Sequence, residues 1–134
     1  MLNINNQSNT AATRQPADSK IALYCRAARE SNHAIKEQKL WLSRFARQTG
    51  YKNPKFYIDN GENGMTLDRP AMTALMADIK SGAVDTVAVT AIDRISRGFL
   101  TLAEWMCFCN EHNVRCISVE SGEHGLTNEV MHQT

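Results

Sequence analysis

The 134-residue chain contains no apolar stretch close to the roughly 18 consecutive residues that a membrane-spanning helix requires. Its amino terminus also lacks a basic segment followed by an apolar one, which argues against a secretory leader. The expected location is therefore the cytoplasm. Neither sign of charge is in surplus: 15 Lys and Arg stand against 14 Asp and Glu, for a net charge of +1. Bulk electrostatics therefore does not mark a nucleic-acid binder, and any anion site has to be built by local clustering. Cysteine is sparse, with Cys25, Cys107, Cys109 and Cys116 only. The pattern Cys107-x-Cys109-x-x-His112-x-x-x-Cys116 has the spacing of no common zinc module, and residues two apart on a helix point to different faces. These residues read as free thiols in a reducing compartment, and neither a metal nor a cofactor is expected.

What is present is the composition of one globular domain, 43% hydrophobic and 22% charged. Residues 1–19 are rich in Asn, Gln, Ser, Thr and Ala and are expected to form a disordered tail. From Lys20 the pattern alternates. An apolar run from Ile21 to Cys25 reads as a buried strand, and a helix is expected over 34–49, with Ile35, Leu42, Phe45 and Ala46 on one stripe and Gly50 as its stop. A second strand, "KFYID", leads through the loop "NGENGMTLDR" to a helix opened by Pro70, with Met72, Leu75, Met76 and Ile79 at helical spacing and Gly82 beyond. The β-branched run "DTVAVTAI", a helix over 99–112 and the strand "VRCISV" follow. This alternation predicts an α/β fold of three layers: a mostly parallel mixed sheet with helices on both faces. In such a sheet the functional crevice lies beyond the carboxyl ends of the strands.

Those ends carry Arg26 with Arg29, Asp59, and Asp93, Arg94 and Arg97 in "IDRISR"; Arg69 stands just before the second helix. Arginine presents a planar fork of donors that fits phosphate oxygens two at a time and keeps its charge. Each residue taken alone also has an ordinary role. Arg94 or Arg97 could be a solvated surface charge, Asp93 a helix cap, and Arg69 a partner for Asp68. Together, several guanidinium groups at one crevice would repel one another without a polyanion, and a phosphodiester is the natural guest.

The segments "YCRAA", "EQ" on the first helix, "YIDNGENGMTLDRPAM", "IDRISR" and "HNVRCISVESG" resemble, in order and spacing, the catalytic domain of the serine recombinases, the resolvase and invertase family. The resemblance runs from about Lys20 to the carboxyl terminus. It implies a DNA strand-exchange reaction through a serine bound to a DNA 5′-phosphate, with DNA as partner and a homo-oligomer as the working form. Carried over by position, Arg26, Arg69, Arg94 and Arg97 would grip the scissile phosphate. Asp93 would orient an arginine or assist proton transfer, and Gln38 and Asp59 match supporting positions. The chain departs from the pattern at one decisive place: where the family has Tyr-x-Arg-Val-Ser, this sequence has Tyr24, Cys25, Arg26, Ala27, Ala28, so alanine occupies the nucleophile position. A methyl group cannot attack phosphorus. Ser31 and Ser96 are the nearest other hydroxyls in the motifs. Ser96 resembles a position that the family fills with Ser or Gly and reads as structural, while Ser31 lies in the loop three residues on, and in-line attack tolerates misplacement of only about an ångström. Tyr24 is expected in the core.

In the family the last strand leads to a long dimer helix and a DNA-binding domain. Residues 127–134 are accordingly expected to begin a truncated helix, with Thr127 or Asn128 as its cap and Glu129 in its first turn. A second reading is a phosphate-binding or receiver-like signalling module of the same layout. A receiver requires acidic residues at the first strand end, where this chain has Arg26, and a dinucleotide-binding domain requires a glycine-rich first turn, which is absent.

Overall fold

The structure, a computed structural model, describes residues 14–119 and the backbone of 127–129. The strands are β1 (Ile21–Ala27), β2 (Lys55–Asn60), β3 (Thr86–Val89), β4 (Arg115–Val119) and β5 (Thr127–Glu129). The helices are α1 (Asn32–Thr49), α2 (Pro70–Lys80) and α3 (Phe99–Glu111). They form one five-stranded sheet in the order β2-β1-β3-β4-β5, in which only the β4–β5 pairing is antiparallel.

β1 is buried along its whole length because it has neighbours on both sides and helices above and below. Its side chains alternate between two cores, as the two-residue period of a strand dictates. Ala22 and Tyr24 join Tyr57, Met72, Leu75, Val87 and Trp105 on one face, whereas Ile21, Leu23, Cys25 and Ala27 join Ile35, Leu42, Phe45 and Ile117 on the other. α1 therefore covers one face, and α2 and α3 cover the other. Its stripe faces the sheet through Ile35, Leu42, Phe45 and Ala46, and Gly50 ends it in the left-handed conformation at φ 98°. Among the described residues no helix is long and apolar enough to cross a membrane.

Two expectations change. Within the segment expected to be a disordered tail, Pro16–Asp18 form a 3-10 turn, and Arg14 donates from Nη1 to the Asp85 carbonyl at 3.1 Å. Asp85 is the anchor: its carboxylate also accepts from the Lys20 backbone N–H at 2.9 Å, so an acid in the loop before β3 ties down polar residues that have no apolar mass of their own. Residues 1–13 lie outside the described residues. The second change is at 127–129, which pair as β5 with Ile117, Ser118 and Val119 of β4 instead of starting a helix. A local capping signal is weak against a row of unpaired strand-edge groups. Residues 130–134 lie outside the described residues.

Candidate active site

The chain leaves β1 to build β2 on one side and β3 on the other, so the sheet's switch point lies between the carboxyl ends of β1 and β3. Arg26 stands one residue from the end of β1, and a 3-10 turn, Ile92–Arg94, follows β3. Arg26 is only 2% exposed, and every nitrogen of its guanidinium donates to a backbone carbonyl: Nε to Arg94 at 2.8 Å, Nη1 to Glu62 at 2.9 Å and Nη2 to Asp93 at 2.7 Å. One side chain thus ties β1, the β2–α2 loop and the turn after β3 together. Gly64 closes this clamp. A Cβ there would lie 2.8 Å from Arg26 Nη2 and 2.9 Å from its Cζ, so the flat guanidinium requires glycine beneath it.

Gln38 of α1 fixes the same residue from the other side. Its Oε1 accepts from Arg26 N at 3.1 Å and its Nε2 donates to Arg26 O at 2.9 Å, so a side-chain amide serves as a short piece of neighbouring strand. Arg94 Nη1 donates to that same carbonyl at 3.1 Å. Arg94 Nε is buried and has no hydrogen-bond partner among the described residues.

Arg69 is also 2% exposed and also held by oxygens. Nε donates to the Thr66 carbonyl at 2.8 Å, Nη1 to the Tyr24 hydroxyl at 2.8 Å, and Nη2 to the Ile95 carbonyl. The Tyr24 hydroxyl in turn donates to Asp59 at 2.7 Å, and Asp59 accepts from the backbone N–H groups of Ala71 and Met72 at 2.7 and 3.0 Å. Asp59 therefore caps the amino end of α2, where a carboxylate meets unpaired N–H groups and the positive end of the helix dipole. Burial, followed by the Asp59 hydrogen bond, pushes the Tyr24 hydroxyl pKa well above its usual value.

The cations share one neighbourhood. Burial lowers the pKa of Arg26 from its usual value, and the charges of Arg69, Arg94 and Arg97 add to that effect while Tyr24 opposes it. Arg97 is exposed, with its backbone N–H on the Gly64 carbonyl at 3.3 Å. Arg29 and Asp93 are exposed as well. Asp93 orients an arginine through its backbone carbonyl, and among the described residues its carboxylate makes no ion pair within 4 Å. The arrangement thus has two levels: a buried pair, Arg26 and Arg69, bound to the protein's own oxygens, and an outer pair, Arg94 and Arg97, at the turn after β3.

Both serine hydroxyls that the motifs offer are engaged in structural hydrogen bonds. Ser31 caps α1, accepting from Ala34 N at 3.1 Å, and its own N–H is held by Asn60 Oδ1 at 2.8 Å. Ser96 is buried, donating to the Gly64 carbonyl at 2.9 Å and accepting from Gly98 N at 2.9 Å. Ala28 is exposed immediately beyond β1, whose last carbonyl, that of Ala27, accepts from Gly61 and Glu62 N–H at 2.8 and 3.0 Å. Sequence patterning misses the part of Tyr24, whose hydroxyl is hidden in an apolar run, and the reason for Gly64, whose place in "G-x-x-x-x-R-P" marks the loop without showing that a guanidinium lies against it. Cys109 and Cys116 are core thiols and Cys107 is exposed; among the described residues no three His, Cys, Asp or Glu side chains come together as a metal site.

Comparison with known proteins agrees with this geometry. The family model described as "Resolvase, N terminal domain" matches residues 21–133. The crystal structure of the N-terminal catalytic domain of TP901-1 integrase has a TM-score of 0.69 at 29% identity, covering 80% of each chain. A resolvase family site-specific recombinase from Streptococcus pneumoniae gives 0.66 at 25% identity, covering 82% of this chain and 76% of that one. The C-terminal catalytic domain of ISC1926 TnpA, an IS607-like serine recombinase, shares the fold at a TM-score of 0.68 and 22% identity, over 77% and 69% of the two chains. No curated protein sequence matches the chain. With the matched span covering nearly all of the alternating α/β unit and the same fold in these solved domains, the chain belongs to the resolvase family of serine recombinase catalytic domains.

Proposed function

We propose that this domain binds the phosphate backbone of DNA at the β1–β3 switch point and, with alanine at position 28, does not cleave it. The observation that carries this reading is that Arg26, Arg69 and Arg94 are tied by hydrogen bonds to or from the one turn after β3, with Arg97 close behind, at a strand end whose next outward residue is Ala28. Arg94 and Arg97, the outer pair, make first contact with a phosphodiester. Arg26 and Arg69, each 2% exposed and held by the protein's own oxygens, set the shape and the positive field of the crevice. This refines the expectation that all four grip alike. Asp59 and Gln38 act as positioning residues, through α2 and Arg26.

Covalent strand exchange needs a hydroxyl to attack phosphorus and then to leave again. Without one no intermediate forms, and loss of a nucleophile in covalent catalysis costs on the order of a million-fold. The working form proposed is a homo-oligomer on DNA, as family chemistry requires two duplex ends held in register. With a net charge of +1, binding by the arginines alone is weak, salt-sensitive and indifferent to sequence.

The test is adduct formation on a denaturing gel. The chain is joined to the dimer helix and DNA-binding domain of an active serine recombinase, with Ala28 kept or changed Ala28→Ser. The parent is expected to give no adduct and Ala28→Ser a 5′-phosphoserine adduct at the cognate site of the added domain. An adduct from the parent would place the nucleophile elsewhere. A folded, site-bound Ala28→Ser protein without adduct would mean that more than the hydroxyl is missing.

A further inference from the structure

Behind Arg94 lies a cleft of about 260 Å³ lined by Ala34, Glu37, Gln38, Trp41, Thr90 and Arg94. The first four recur at i, i+3, i+4 and i+7 and so form one stripe of α1, facing the end of β3 and the turn that carries Arg94. Three observations give the cleft a ligand chemistry. Arg94 donates from Nη1 to the Arg26 carbonyl at 3.1 Å, and among the described residues its Nη2 makes no hydrogen bond, which leaves a guanidinium donor for a ligand. Trp41 is only half-buried, so it offers the cleft an aromatic surface, and Arg44 sits over its ring 5.2 Å from the centroid. Glu37 is exposed and forms no ion pair within 4 Å with Arg94 among the described residues, which leaves an acceptor and a cationic donor open at one cavity. The amide of Gln38, by contrast, is committed to Arg26 and Ala34.

We propose that this cleft binds a single unstacked nucleotide, with its base against Trp41, its phosphate on Arg94, and an exocyclic amino group donating to Glu37. Bases stack on aromatic side chains whatever their sequence, arginine pairs with phosphate, and a carboxylate selects bases that carry an amino donor. Adenine, cytosine and guanine fit this chemistry; thymine has no amino group. The ligand can be a free mononucleotide or a base extruded from a duplex. The inference goes beyond the phosphodiester reading above, shares with it Arg94 and the lining residue Gln38, and does not depend on residue 28.

The experiment is titration of the ¹⁵N-labelled full chain, reading the Trp41 indole signal and the affinity by calorimetry. The probes are deoxyadenosine monophosphate, thymidine monophosphate, deoxyadenosine and inorganic phosphate. Deoxyadenosine monophosphate is expected to bind saturably, at least tenfold tighter than inorganic phosphate or deoxyadenosine alone. Trp41→Leu is expected to weaken it about tenfold. Glu37→Gln, at an exposed helix position where folding is not at risk, is expected to reduce the preference for deoxyadenosine over thymidine monophosphate. Two further arms separate the sources: a duplex with one unpaired adenine that competes for the cleft, where the fully paired duplex does not, identifies an extruded base, and competition by neither identifies the free mononucleotide. Deoxyadenosine monophosphate binding no tighter than inorganic phosphate, or unchanged in both variants, overturns the proposal. DNA adduct formation by the Ala28→Ser chimera is unaffected by that failure, so the two readings fall separately.

Discussion

Arg26 and Arg69 are the same residue type as Arg94 and Arg97, sit in the same crevice, and occupy opposite physical situations. The inner pair is 2% exposed, and each of its guanidinium nitrogens donates to a backbone carbonyl or, once, to Tyr24. In the outer pair, Arg94 is only part-buried and among the described residues makes one side-chain hydrogen bond, to the Arg26 carbonyl, and Arg97 is exposed. The lesson is that four arginines gathered at one strand-end crevice need not share one role. Two of them hold loops together, and in doing so keep positive charge at a place where isolated burial would be costly.

If the inner pair is architectural, its loss should unfold the domain before it affects DNA contact. Arg26→Ala leaves the carbonyls of Glu62, Asp93 and Arg94 without their donor, and a destabilisation of about 3–5 kcal/mol is expected in urea unfolding. A loss below about 1 kcal/mol would show that water replaces the guanidinium freely and that the inner pair resembles the outer one. Gly64→Ala probes the same clamp from below. The new methyl would press on a guanidinium pinned on three sides, and about 1–3 kcal/mol of stability is expected to go, measured in the same way.

Arg97→Ala should behave oppositely. Stability is expected to stay within about 0.5 kcal/mol of the parent, while the slope of log binding constant against log salt for a DNA duplex falls by about one. An unchanged salt slope would remove Arg97 from the DNA contact and leave Arg94 alone outside.

The smallest effect is expected at the opposite end of the sheet, where a polar cluster has no arginine. There the Tyr57 hydroxyl donates to Asp78, and Lys55 Nζ lies 3.3 Å from the same carboxylate. The Tyr57 hydrogen bond first, and then that of Lys55, hold the Asp78 carboxyl below the usual carboxylate range. A carboxyl with a depressed folded-state pKa stabilises the fold above its unfolded pKa near 4, and this contribution is lost as pH falls through the lower folded value. Asp78→Asn should therefore flatten, slightly, the drop in urea midpoint between pH 6 and pH 3. An equal drop in parent and variant would show that acid sensitivity arises elsewhere.

The order of strands and helices is legible in the chain because it rests on periodicities that span many residues: the apolar run of β1, the α1 stripe from Ile35 to Ala46, and the Pro70 start of α2. The end of β5 is not, since Thr127–Glu129 carry a helix-start signal of their own and pair with β4 only because its edge is there to be paired. The site divides along the same line. Sequence by itself determines which residue types reach the switch point, including the alanine at position 28, because strand ends and motif spacing place them there. Only the tertiary structure decides that Arg26 and Arg69 are buried against the protein's own oxygens while Arg94 is part-exposed and Arg97 exposed, that Asp59 serves a helix end, and that Gly64 makes room for a guanidinium. Those outcomes depend on which backbone oxygens from two distant segments converge on one side chain, and hydrogen bonds across 36 to 68 residues leave no local pattern to read.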